Sequence, residues 1–217
     1  MTRNRFDAQL RQMNDELLAM GDLCVRAITN VTEALEAGDA KRAKIVISED
    51  EQIDQKEKEI ESICLKLLLQ QQPVARDLRQ ISAALKMITD MERIGDQTAD
   101  IAEIIMTAGI VGATDIETIG LMSEKASQMV KESVEAFVNK DLELTRKVIQ
   151  SDDIVDDLFD EVKENLVSYI AKEGKQGAKA IDMMMIAKYL ERIGDHATNI
   201  AEWVEFSITG VHHSEDQ

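Results

Sequence analysis

Apolar residues recur along the chain at alternating spacings of three and four, the pattern of helices that bury one face. Leu10, Met13, Leu17, Met20, Cys24, Ala27, Val31 and Ala34 make the first such seam. It stops at Gly38, and Asp39 is placed to cap the next helix. That second helix carries Val46, Ile53, Ile60 and Leu67 every seven residues and breaks at Gln70-Gln71-Gln72-Pro73. A third runs from about Val74 to Thr107 on Met87, Met91, Ile94, Thr98, Ile101 and Ile105. The stretch from Gly109 to Asp115 reads as the linker between two halves.

The second half repeats the plan. Asn139-Lys140-Asp141 matches Ala37-Gly38-Asp39, and Asp152-Asp-Ile-Val-Asp156 matches Asp50-Glu-Gln-Ile-Asp54, both at an offset of 102. Glu92-Arg-Ile-Gly-Asp96-Gln-Thr-Ala-Asp100 matches Glu191-Arg-Ile-Gly-Asp195-His-Ala-Thr-Asn199 at an offset of 99. Three residues are lost where Gly174-Lys-Gln-Gly177 replaces the proline bend. The predicted fold is all-α: two tandem, pseudo-symmetric three-helix bundles, six long antiparallel helices, with domains at 1–110 and 111–217. Composition agrees, since one Pro, ten Gly and 3% aromatics in 217 residues leave little material for a many-stranded β fold. Cys24 and Cys64 form no metal or redox spacing and are expected as reduced core residues.

Charge narrows the function. Acids outnumber bases 42 to 25, a net −17 that repels nucleic-acid backbones and anionic lipid headgroups. Such a surface offers no obvious anion pocket. Neither a secretory leader nor an apolar span is present, so a cytoplasmic protein without membrane insertion is expected.

Position matters more than number for the acids. At about 100° per residue, Glu92, Asp96, Asp100 and Glu103 form a stripe opposite the seam of the third helix. On the second helix Asp50 and Glu57 occupy seam positions where apolar residues belong; in the other half these are Asp152 and Phe159. Facing residues of an antiparallel hairpin share an index sum. Asp50 with Asp96, and Asp54 with Glu92, both give 146, centred on Pro73. Asp152 with Asp195, and Asp156 with Glu191, both give 347, centred on Gly174. Two four-carboxylate clusters are therefore predicted. Crowded carboxylates are mutually destabilising unless neutralised, either by Arg93 and Arg192 or by bound cations. An all-oxygen set favours Mg²⁺, Mn²⁺, Ca²⁺ or iron over zinc or copper. Asp100 adds a carboxylate to the first cluster where Asn199 offers a neutral amide, so the first should bind cations more tightly.

At these residues the sequence resembles the PhoU family of phosphate-transport regulators, over nearly the whole chain. Phe6-x-x-x-Leu10, Leu17-x-x-Met20-Gly21, the turn Gln72-Pro73-Val-Ala-Arg-Asp77-Leu78-Arg79 and both Glu-Arg-Ile-Gly-Asp copies carry the likeness. The resemblance implies two three-helix bundles bearing clusters of iron, zinc or other divalent ions. Its ligand motifs fall on Asp50, Asp54, Glu92, Asp96 and Asp100, and on Asp152, Asp156, Glu191, Asp195 and Asn199. It further implies a cytoplasmic negative regulator of the phosphate response, working with the phosphate ABC transporter and a sensor histidine kinase. A homodimer is expected, with Trp203 and Phe206 in the core or the dimer seam. No Gly-rich phosphate loop, Ser/His/Asp set or nucleophilic Cys is visible, which favours a non-enzymatic adaptor. The alternative is a carboxylate-bridged metalloenzyme, a phosphohydrolase or ferroxidase-like protein. Met183-Met184-Met185 reads as core filler, and His212 and His213 lie in a polar tail.

Overall fold

The computed structural model describes residues 3–70, 73–108, 115–173 and 177–211. Among them the regular elements are six helices: α1 (Arg3–Ala37), α2 (Ala40–Gln70), α3 (Ala75–Ala108), α4 (Ile116–Asn139), α5 (Leu142–Glu173) and α6 (Gly177–Thr209). Gln71, Gln72, the linker from Gly109 to Thr114, Gly174 to Gln176 and the tail histidines His212 and His213 lie outside the described residues.

The helix breaks follow from local chemistry. Gly38 turns the chain with φ 61°, a left-handed value that costs glycine nothing. The Asp39 carboxylate then accepts the N–H groups of Lys41 at 2.9 Å and Arg42 at 3.1 Å, capping α2. Asp141 caps α5 in the same way, accepting from Leu144 at 3.0 Å. Between α4 and α5, however, the left-handed position is held by Lys140, with φ 56°. A side chain there costs about 1 kcal/mol that Gly38 avoids.

The predicted seams are buried, apart from Leu10 on α1, which is half-buried. Val46, Ile53, Ile60 and Leu67 line the core, as do Met87, Met91, Ile94, Thr98, Ile101 and Ile105. Cys24 and Cys64 are free buried thiols, each pushed up to about 12 chiefly by burial, and so are unreactive. Met183 is core and Met184 half-buried against it, whereas Met185 is exposed.

Helix α2 packs on α1 and α3, and α5 on α4 and α6, while the halves meet through α3–α6 and α1–α4. The repeat shows in this contact. Gly21 on α1 faces Val134 on α4, where an added Cβ would come within 3.3 Å of Val134 Cγ2. The same pair displaced by 102 residues is Ser123 and Thr32, whose hydroxyls hydrogen-bond across the same helices. Because α3 is touched by α1, α2 and α6, its acidic face is not opposite the core as the helical wheel predicts. Glu92, Asp96 and Asp100 are half-buried, and Glu103 alone of the stripe is exposed.

Candidate metal centres

The first cluster sits where α2 crosses α3. Gly95 makes the crossing close: a Cβ there would fall 2.4 Å from Asp50 Oδ1 and 3.1 Å from Ile53 Cδ1. Without that Cβ, the Asp50 carboxylate lies directly on the α3 backbone. Its Oδ1 is buried and accepts no hydrogen bond among the described residues. Burial first, and then Asp54, Asp96, Glu92 and Asp100, push the Asp50 carboxyl up to about 6. Glu92 is raised by burial and then by Asp96. Asp100 is raised by burial and opposed by a hydrogen bond from Tyr189 on α6. Glu57 joins the edge of the cluster, raised by burial and by Glu61 and Asp54.

Neutralisation by guanidinium is partial. Arg93 Nη1 donates to Asp96 Oδ2 at 2.9 Å, and its Nε lies 3.4 Å from Glu92 Oε2. The arginine is 55% exposed, so solvent screens both pairs. Arg192 acts elsewhere, across the α3–α6 contact on Asp100 and along α6 on Tyr189. Asp50 and Asp54 have no cationic partner among the described residues.

The second cluster repeats the geometry more loosely. A Cβ on Gly194 would meet Val155 Cγ1 at 3.3 Å and Asp152 Oδ1 at 3.4 Å. The Asp152 carboxyl is also pushed up to about 6, by burial and then by Asp156 and Asp195, with the Thr198 hydroxyl opposing. Asp156 and Asp195 are both raised, by burial first and then by Glu191. Two differences set this cluster apart. Lys188, which stands at the place of Thr89, pairs with Glu191 and rests 5.4 Å over the Phe159 ring. Asp156, Asp195 and Asn199 are exposed. The second set is thus partly matched by an ammonium and better solvated.

Asp100 and Asn199 stand at the margins of their clusters, engaged across α3–α6. Asp100 meets Tyr189, and the Asn199 amide donates to Asp90 Oδ1 at 3.4 Å. Asp90 also lies 2.9 Å from His196 Nδ1. Asp90 and Tyr189 are themselves 99 residues apart, so these contacts are mates under the repeat. Acidic spacing alone marks neither Asp90 nor the two glycines. Glycine in mid-helix costs about 1 kcal/mol against alanine, and its presence in both motif copies is the signal that could have found it.

Among the described residues no three His, Cys, Asp or Glu side chains form a ready-made cage for an ion. The donor set nevertheless suits a hard cation. All its ligand atoms are oxygens, one buried oxygen of Asp50 is orphaned, and Gly95 supplies a cradle that a Cβ would fill.

Residues 17–105 and 119–204 each match the family model described as the PhoU domain. The chain belongs to the PhoU family. The two matches start 102 residues apart and end 99 apart, reproducing both offsets of the repeat. A relative from Clostridium acetobutylicum, named as a phosphate-specific transport system accessory protein PhoU homolog, is 37% identical over 97% of both chains. A crystal structure of PhoU from Pseudomonas aeruginosa aligns with a TM-score of 0.90 at 32% identity, covering 95% of this chain and 100% of that one. The PhoU structure from Streptococcus pneumoniae, at 24% identity and a TM-score of 0.87 over 96% of this chain and 99% of that one, shares the fold.

Proposed function

We propose that this PhoU-family chain is a metal-binding, non-enzymatic regulator of phosphate uptake and phosphate signalling. It acts as a negative regulator of the phosphate-responsive two-component system by contacting the phosphate ABC transporter and its sensor histidine kinase. Family membership supports the phosphate-transport role, and relatives carry the name of accessory proteins of the phosphate-specific transport system. The adaptor is read as a cytoplasmic homodimer, peripheral to the membrane through its partners; no helix among the described residues is long and apolar enough to cross one.

The observation that carries the metal-binding part is the orphaned Asp50 oxygen, held over Gly95 amid four further acids. Asp50, Asp54, Glu92 and Asp96, with Asp100 at the margin, would hold the first group of ions. Asp152, Asp156, Glu191 and Asp195, with Asn199, would hold the second. Bound iron, manganese, magnesium or zinc supplies the positive charge that lets these carboxylates stay ionised side by side. The protein's part is to hold α2 level with α3, and α5 with α6. His196 is engaged with Asp90 rather than presented as an acid or base beside the carboxylates, which favours the adaptor over the metalloenzyme.

A reporter of phosphate starvation in a bacterium lacking its own PhoU tests the reading. The wild-type chain should silence the reporter in high phosphate. The fourfold variant Asp50→Asn, Asp96→Ala, Asp152→Asn, Asp195→Ala, at equal protein level, should leave it at least half derepressed. Failure of the wild-type chain to silence it contradicts the regulator; full silencing by the variant contradicts the metal requirement.

A further inference from the structure

Away from the acidic clusters lies a cavity of about 460 Å³, between the first turns of α3 and the last turns of α4 and α6. Its lining includes Arg76, Arg79, Lys140, Gln80 and Ser207, and among the described residues no acidic side chain. The expectation that so acidic a protein lacks an anion pocket comes from net charge, which says nothing about local sorting. Three cations drawn from two distant segments converge here. Among the described residues none of them has an ion-pair partner, and Arg79 Nε is buried without a hydrogen-bond acceptor.

The cations are not needed to finish the helices. The Lys140 N–H bonds to the last carbonyls of α4, Ala136 O and Phe137 O, and the Gly210 N–H bonds to Phe206 O at the end of α6. Both helix ends are thereby served by backbone, leaving the guanidinium and ammonium groups uncommitted. Helix dipoles do not cancel them either. Two C-termini contribute about half a negative charge each, and the α3 N-terminus about half a positive charge, against three full positive charges.

Lys140 strengthens the case. It holds a left-handed backbone conformation that costs a side chain energy, at the place where the first half has Gly38. The place of Arg79 is taken in the other half by Ala178. Both repeats need the left-handed turn, but only here does a side chain bear its cost, at a residue that lines the cationic cavity.

We propose that this cavity binds a phosphate group, free or borne by a small phosphorylated molecule, through Arg76, Arg79 and Lys140. Arginine forks match the oxygens of a tetrahedral oxyanion, and Gln80 and Ser207 add neutral donors. The volume lies in the range of small-molecule pockets and exceeds the need of a lone ion. The site is independent of the metal clusters, so it stands or falls apart from the regulator's metal requirement.

Calorimetric titration of the full chain in EDTA, at fixed ionic strength, tests it with inorganic phosphate and with AMP as probes. Binding of either probe is expected, about tenfold weaker in Arg79→Gln and in Lys140→Gly. Lys140→Gly should also keep or raise the melting temperature, separating loss of binding from loss of fold. Binding of inorganic phosphate alone identifies the free ion as the ligand; binding of AMP, with or without inorganic phosphate, identifies the phosphate group of a larger molecule. No binding of either probe in EDTA, or unchanged affinity in both variants, overturns the site.

Discussion

Gly95→Ala is expected to cripple the proposed cation binding of the first cluster, whereas Gly194→Ala is expected to leave that of the second nearly intact. Both glycines sit in mid-helix, so alanine gains about 1 kcal/mol of intrinsic helix preference at each. The difference lies in what the new methyl meets. At Gly194 the contacts of 3.3 Å to Val155 and 3.4 Å to Asp152 are relieved by a shift of a few tenths of an ångström. At Gly95 the methyl would fall 2.4 Å from Asp50 Oδ1, so the carboxylate must leave its seat. Ile53, which is 1% exposed and packed 3.1 Å from the same point, has little room to follow. Overpacking of this kind costs about 1–3 kcal/mol. Manganese titration of each variant should show affinity at the first cluster down at least tenfold in Gly95→Ala, and the second unchanged in Gly194→Ala. Equal retention in both variants would show that Asp50 does not take part.

A second large effect concerns pH. Metal-free protein should lose stability as pH rises from about 4 to about 6.5, opposite to the usual behaviour of paired carboxylates. Asp50 and Asp152 are raised from 3.8 to about 6 in the folded chain. Across that window the folded state holds protons that the unfolded chain has released, so stability falls with pH until both groups are ionised. Glu57, Glu92, Asp100, Asp156 and Asp195 are raised too and act with the same sign. Glu59 and Glu132, lowered by hydrogen bonds from Lys56 and Lys147, act in the opposite sense at lower pH. After discounting for solvent screening of half-exposed groups, a net loss of about 2 kcal/mol is expected. For a chain of this size that is a fall in Tm of about 4–8 °C. Thermal melts in EDTA from pH 4.5 to 7.5 measure it directly. Excess Mn²⁺ should abolish the fall, because a bound cation favours the ionised carboxylates. A Tm that rises over this range in EDTA contradicts the crowding of unpaired carboxylates in the clusters.

Much of this molecule is legible in sequence because helical packing writes itself in spacing. The seam of α1 and its stop at Gly38, the caps Asp39 and Asp141, and the offsets of 102 and 99 all reappear in the structure. The level pairing of Asp50 with Asp96, and of Asp152 with Asp195, follows from hairpin arithmetic, which needs only the position of a turn. Spacing is blind to the third neighbour of α3. A wheel with one apolar seam describes a helix buried on one side, and α3 is enclosed by α1, α2 and α6. Small and polar residues on its other faces, such as Ala83, Ala102 and Gln97, are buried there without forming an apolar stripe. The Asp100–Tyr189 and Asp90–Asn199 contacts escape for the same reason. The cationic cavity escapes because Arg79 and Lys140 are sixty-one positions apart and belong to different halves.

We propose that two separate carboxylate clusters each hold cations, the first more tightly. Isothermal titration of EDTA-stripped, dialysed protein with Mn²⁺ at pH 7.5, paired with elemental analysis, addresses it most directly. The wild-type chain should show two classes of sites. Asp96→Ala should remove the tighter class, Asp195→Ala the weaker, and the double variant both. A single class, or stoichiometry unchanged in the double variant, would contradict the claim.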